Sequence, residues 1–274
     1  MATCYRHPNR ETGVSCSNCG RPICPDCMTA TSVGMRCPEC AKQRTKVRTA
    51  ATMYGGEPVV TIAIIVTCVV LFLGSGGGIG LQSTSGGWIY DHFVLFGPYI
   101  HFDHEYWRLI TSGFLHSGLF HIGFNMYLLW ILGQQLERVF GPYKFATLYF
   151  TALLCGSFGA LVQTTTSGVV GASGAVFGLM GALVVVQWRR GFAAFGGGLG
   201  GLIAINLVIS FLPGFNIAFG GHIGGLIGGA LAGLAIHEAD RFRRPWLGYV
   251  GCAALSAAAV LGSIAVSGDL HNIG

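Results

Sequence analysis

The sequence predicts an all-α fold, a polytopic transmembrane helical bundle with a small Cys-rich domain at its N-terminus. Three observations predict it. Hydrophobic residues make up 52% of the 274 residues and charged residues only 10%, against about 25% charged in a soluble domain, and mean hydropathy is +0.59. The apolar residues gather into seven segments. The cysteines do the opposite: seven of the ten lie before residue 50, together with eight of the 16 Lys and Arg residues.

In order along the chain, residues 1–40 carry four pairs of soft ligands at one spacing: Cys4-x2-His7, Cys16-x2-Cys19, Cys24-x2-Cys27 and Cys37-x2-Cys40. Eight such ligands are what two tetrahedral Zn2+ ions require, and repeated pairs at this spacing are a strong metal signal. A disulfide framework fits poorly with seven Cys plus one His on a cytoplasmic, reducing side. Every ligand position is filled, so the expected role is structural, in a module for a cytoplasmic protein partner. No nucleic acid is expected, because the eight basic residues are scattered and half of them (Lys42, Arg44, Lys46, Arg48) belong to a linker at 41–57. The spacing leaves sequential and alternating pairing of the ligands both open.

Seven apolar segments follow, at about 58–74, 117–136, 143–163, 172–188, 197–212, 219–236 and 246–266. Each approaches or reaches the roughly 20 residues a helix needs to cross the hydrocarbon. The connection 75–116 is long and rich in aromatics, including Trp88, Tyr90, Phe93, Tyr99, Tyr106 and Trp107, which suits a functional segment in the membrane interface. Basic residues set the expected orientation. With a cytoplasmic N-terminus, 15 of the 16 Lys and Arg residues fall on the cytoplasmic side, Arg108 being the exception, and the C-terminus lies outside. Short loops and a compact design fit a bacterial plasma membrane.

This topology puts four polar groups at similar depth. The second, fourth and sixth segments all run from outside to inside. His121 and Asn125 lie one and two turns into the second, while Ser173 and His222 fall in the first turns of the fourth and sixth. Ionisable groups inside a membrane are costly and usually functional. A serine hydroxyl needs a base to become a nucleophile, and neutral His is the usual one. His121 and Asn125, at i and i+4, share a helix face and can direct donors toward the oxygen of a tetrahedral intermediate, beside the Ser173 amide at a helix N-terminus. Glycines repeating at four residues (Gly174/Gly178, Gly220/Gly224/Gly228, Gly221/Gly225/Gly229/Gly233) predict close packing of the Ser-bearing and His-bearing helices.

These motifs resemble the rhomboid intramembrane serine proteases over roughly residues 58–237. His121-Ile-Gly-Phe-Asn125 is similar to that family's HxxxN, Gly171-Ala-Ser173-Gly174 to its GxSG, and Trp107-Arg108 to the WR pair of its first loop. His222 within Gly-Gly-His-Ile-Gly-Gly is similar to its base, and Gly133-Gln-Gln-Leu-Glu137 to its segment closing the second helix. The resemblance implies a rhomboid-like core of six helices at 58–237, plus a seventh helix and tail at 238–274. It implies a catalytic Ser173–His222 dyad with no acidic third member, and an oxyanion hole of His121, Asn125 and the Ser173 amide. It implies His116 as a further site histidine that helps to hold water. A lateral gate at the fifth helix and the loop 211–218 (Phe211, Leu212, Pro213, Phe215) is implied as well. Phe177 stands where the family often has Tyr, so His222 is expected to be held less tightly. The implied activity is an intramembrane serine endopeptidase that cuts single-span membrane-protein substrates near the outer face, with no cofactor for catalysis. Residues 1–40 resemble B-box-type zinc fingers, whose cross-braced pattern groups Cys4, His7, Cys24 and Cys27 in one site and Cys16, Cys19, Cys37 and Cys40 in the other.

The rival reading is an inactive rhomboid-like adaptor that binds spanning helices. His92, His101, Asp103, His104 and Glu105 read as polar interface residues rather than a metal site. His237-Glu238 lacks the second His of a zinc protease motif.

Overall fold

Cysteine supplies the interior of the N-terminal part of the chain. In the computed structural model, which describes residues 2–42, 56–76, 87–193, 198–210 and 218–269, the chain divides into two compact units, Met1–Met53 and Tyr54–Gly274. In the first unit, strand Ala2–Thr3 pairs antiparallel with Glu11–Thr12, and Thr29–Thr31 pairs with Gly34–Arg36. A 3-10 turn at Pro25–Cys27 and a helix at Pro38–Lys42 complete it. The x2 spacing is closed by local backbone bonds: His7 N–H donates to Cys4 C=O at 3.1 Å and Cys27 N–H to Cys24 C=O at 2.8 Å. Gly20 N–H reaches Cys16 C=O at 2.9 Å, and Ala41 N–H reaches Cys37 C=O at 2.8 Å. Such turns fold the two members of a pair toward one side. The buried core cluster of this unit is six cysteines and Ile23.

In the second unit, seven apolar helices lie among the described residues: Val59–Gly74, Leu119–Phe140, Pro142–Gln163, Ser173–Arg189, Leu199–Ser210, Phe219–Arg241 and Pro245–Val266. They are called the first to seventh helices below. The third, sixth and seventh are long and apolar enough to cross a membrane singly, and the second does so together with Arg108–Phe114, bent from it by 97°. The first, fourth and fifth are shorter, at 16, 17 and 12 residues. The second and sixth helices extend past the apolar runs that predicted them. Polar residues such as Glu137–Arg138 and His237–Arg241 continue the backbone ladder beyond the lipid-compatible stretch, and Gly141-Pro142 separates the second helix from the third.

The sixth helix has two glycine faces with two different neighbours. At Gly225, Gly229 and Gly233 a Cβ would meet Gly174, Gly178 and Ala182 of the fourth helix. At Gly220, Gly224 and Gly228 it would meet Gly159, Gln163 and Cys155 of the third. Small residues on both faces let three backbones approach closely, which is what drives helix association where lipid removes the hydrophobic effect. The first helix docks on the second through the Gly133–Glu137 segment. Thr61 fills the space beside Gly133. The buried Glu137 carboxylate accepts from Val60 N–H and Thr61 N–H, both at 2.9 Å, and from the Thr61 hydroxyl at 2.7 Å. Two of the otherwise unpaired amides at a helix start are thereby satisfied.

The long connection is itself folded. Short helices Trp88–Phe93, Gly97–His101 and Arg108–Thr111 lie in it, and Leu95, Ile100 and Leu109 bury themselves against Ala160 and Leu161 of the third helix. Arg108 is 3% exposed. It pairs with Glu105, donates to Asp91 C=O at 2.7 Å and Val94 C=O at 3.0 Å, and lies 4.2 Å from the Tyr99 ring centre. Leu95 and Val169 exchange backbone bonds of 3.1 and 2.9 Å, tying this connection to the loop before Ser173. The proposed gate residues at 211–217, and linker residues 43–55, lie outside the described residues.

Candidate active site

Ser173 is the first residue of the fourth helix and His222 is the fourth residue of the sixth. The glycine-lined approach of the two helices brings their side chains together. His222 Nε2 lies 2.8 Å from Ser173 Oγ, within the reach a general base needs. The imidazole stacks on Phe177, with ring centres 4.3 Å apart and an interplanar angle of 18°. Its other nitrogen, Nδ1, lies 2.6 Å from Ser210 Oγ. His222 is thus held at one face and at both nitrogens.

Opposite the serine, His121 Nδ1 accepts from Ser117 N–H at 3.4 Å and lies 3.0 Å from the Ser117 hydroxyl. A nitrogen that accepts from a backbone amide carries no hydrogen of its own, so a neutral His121 carries it on Nε2. That nitrogen faces the serine loop: a Cβ at Gly171 would lie 2.7 Å from His121 Nε2 and 3.7 Å from Ser173 Oγ. Gly171 also has φ +128°, so both space and backbone require glycine there. Its N–H donates to Ser112 C=O at 3.0 Å, which fixes the loop. Asn125 is buried and donates one amide hydrogen to His121 C=O at 2.8 Å. The Ser173 amide is among the first of its helix and has no intrahelical acceptor. His116 stands beside His121, with ring centres 5.1 Å apart, and both its nitrogens are buried without a partner among the described residues.

Sequence reasoning missed Ser210, Ser117 and Ser112. A hydroxyl in an apolar helix ordinarily bonds to the carbonyl four residues back, and Ser210 does so as well, donating to Asn206 C=O at 2.7 Å. No pattern in the sequence distinguishes it. Only the placement of the fifth helix beside the sixth does.

In the N-terminal unit, the structure brings together Cys4, His7, Cys24 and Cys27, and separately Cys16, Cys19, Cys37 and Cys40, with ligand atoms within 4.8 Å of one another in each group. The grouping alternates along the chain. Metal–sulfur bonds of about 2.3 Å in a tetrahedron place the sulfurs about 3.8 Å apart, and Cys19 Sγ and Cys37 Sγ are 3.8 Å apart. His7 Nδ1 lies 3.3, 3.4 and 3.9 Å from the sulfurs of Cys24, Cys27 and Cys4. The ten cysteines are free thiols. Burial opposes ionisation of Cys4, but backbone hydrogen bonds at Arg6, Cys24 and His7 outweigh it and bring its thiol down to about 6. Backbone hydrogen bonding at Cys37 leads in bringing Cys16 to about 6, while burial leads in pushing Cys27 up to about 11. The two clusters fit metal ions of the soft, tetrahedral kind.

The Rhomboid domain model matches residues 103–239, half of the chain. Rhomboid protease GluP of Bacillus subtilis is 34% identical over 215 residues, covering 76% of this chain and 41% of the relative. Two relatives from Arabidopsis thaliana match a shorter stretch of the chain. RHOMBOID-like protein 1 is 40% identical over 116 residues, covering 40% of this chain and 30% of its own length. Inactive RHOMBOID-like protein 8 is 33% identical over 117 residues, with 40% and 33% covered. This chain therefore spans less than half the length of these relatives, which include one named a protease and one named inactive. The matched core and the apolar helices together show that the chain is an integral, multi-pass membrane protein and belongs to the rhomboid family.

Proposed function

We propose that the protein is an intramembrane serine endopeptidase that cuts single-span membrane-protein substrates in the bilayer, near the outer face, by a Ser173–His222 dyad. The observation that carries this reading is the 2.8 Å contact between Ser173 Oγ and His222 Nε2. In the proposed reaction, His222 takes the Ser173 proton as Oγ attacks the scissile carbonyl. The resulting oxyanion is met by the Ser173 amide, by His121 Nε2–H and by the remaining amide hydrogen of Asn125, and such preorganised donors are usually the largest catalytic term. His222 then protonates the leaving amine, and water hydrolyses the acyl-enzyme with the same base. A substrate helix has its carbonyls bonded internally, so Gly, Pro or other helix-weakening residues near the cut favour cleavage.

The N-terminal clusters are proposed to hold two structural Zn2+ ions. With all four tetrahedral positions taken by protein ligands, the ions would organise the fold and take no part in proteolysis. A cytoplasmic N-terminus, a bacterial plasma membrane and a cytoplasmic protein partner for this unit belong to the same proposal.

The second reading, an inactive adaptor for spanning helices, is favoured by the relative named inactive. Cleavage of a model single-span substrate in proteoliposomes separates the two. The endopeptidase reading expects product from the full chain and a loss of about 10⁴-fold or more with Ser173→Ala. Undiminished cleavage by Ser173→Ala contradicts the mechanism, and binding without cleavage by the unaltered chain supports the adaptor.

A further inference from the structure

We infer that Ser210 is the positioning residue for His222: its hydroxyl accepts the Nδ1 hydrogen of the imidazole and so selects the tautomer in which Nε2 can act as a base. This rests on the Ser173–His222 reading above and assigns that dyad a neutral third member, from the fifth helix.

The assignment follows from counting hydrogens. Ser210 Oγ lies 2.7 Å from Asn206 C=O and 2.6 Å from His222 Nδ1. A carbonyl only accepts, so the first contact is a hydrogen bond only if the one hydroxyl hydrogen goes to Asn206 C=O. The contact with His222 is then a hydrogen bond only if Nδ1 carries the hydrogen. A neutral imidazole has a single N–H, which leaves the lone pair on Nε2, 2.8 Å from Ser173 Oγ. In the opposite tautomer Nε2 would be a donor and could not take the serine proton.

Stacking on Phe177 cannot make this choice. It fixes the plane of the ring, at 18° to Phe177, but the ring turned over by 180° in that plane stacks equally well and presents carbon where each nitrogen now lies. Ser210 removes the degeneracy, since the turned ring would forfeit both polar contacts. Ser210 is 5% exposed and His222 7%, so the contact between them is buried. A carboxylate would orient the ring more strongly, as in soluble triads, but a buried anion within an apolar bundle carries a desolvation cost of several kcal/mol. A hydroxyl orients the ring without that cost.

The test uses the full chain in nanodiscs, labelled with 15N-histidine, with the His222 resonances assigned by their loss in His222→Ala. At neutral pH the inference expects Nδ1 of His222 to be protonated and Nε2 unprotonated. Ser210→Ala is expected to give mixed tautomers and to lower kcat about tenfold or more at unchanged KM, the value of one hydrogen bond in the transition state. Ser210→Thr, which keeps the hydroxyl, is expected to restore both. A His222 protonated at Nε2 in the unaltered chain overturns the inference, as does full kcat in Ser210→Ala. The tautomer is read without turnover, so it decides the matter even where Ser210→Ala does not fold. Cleavage that survives Ser173→Ala instead overturns the dyad itself, and the two failures are thereby distinguishable.

Discussion

The N-terminal unit and the membrane unit are stabilised by opposite means. The first buries six cysteines and a single isoleucine, far too little apolar surface for about 40 residues to fold unaided. The second has a large apolar core in which glycine faces let backbones touch, with a few buried polar pins such as Glu137 and Ser210. Fold stability and the geometry of the candidate sites share one origin in the first unit and have separate origins in the second. In the N-terminal unit the ligands are both core and site. In the membrane unit the glycines bring the helices together, and Ser210 and Phe177 then hold His222 beside Ser173 within that frame.

The largest effect is expected from metal removal, because structural zinc sites contribute about 10–16 kcal/mol in small metal-dependent folds. A strong chelator is expected to make the N-terminal unit sensitive to limited proteolysis while the thermal transition of the membrane unit persists. An N-terminal unit that resists protease in the presence of chelator contradicts a metal-dependent fold. The next effect belongs to the glycine faces. Gly229→Leu, against the backbone of Gly178, is expected to cost more than about 4 kcal/mol or to abolish folding. Gly123→Ala, where nothing lies within 4 Å, is expected to stay within about 1 kcal/mol of the unaltered chain. Equal melting of the two variants in detergent contradicts the packing account. The smallest is a polar pin. Glu137→Ala leaves the amides of Val60 and Thr61 without their acceptor and is expected to cost about 2–3 kcal/mol, with Thr61→Val non-additive with it in a double-mutant cycle.

Much of this was legible in the sequence, for identifiable reasons. Hydropathy located all seven helices, since a bilayer imposes a length and an apolar character that few residues violate. Of the four polar groups singled out by depth, Ser173 and His222 meet at 2.8 Å, and His121 Nε2 faces the serine loop at Gly171. The spacing of Cys and His exposed the ligand set but not its grouping, which depends on how the two hairpins fold over each other. What the sequence concealed were neutral groups acting through tertiary contacts. Ser210 looks like any hydroxyl in an apolar helix, and Ser117 precedes the second helix with no capping signature. The folded character of residues 87–116 was concealed as well. It depends on Arg108 reaching carbonyls of Asp91 and Val94 that lie 14 to 17 residues earlier, a pairing that no local periodicity encodes.

Covalent labelling probes the proposed nucleophile, the Ser173 hydroxyl, most directly. A serine-directed fluorophosphonate, followed by mass spectrometry of the full chain in detergent, is predicted to modify Ser173 alone and to leave both Ser173→Ala and His222→Ala unmodified. Modification of another serine, or undiminished labelling in His222→Ala, would contradict the claim that this pair acts as nucleophile and base.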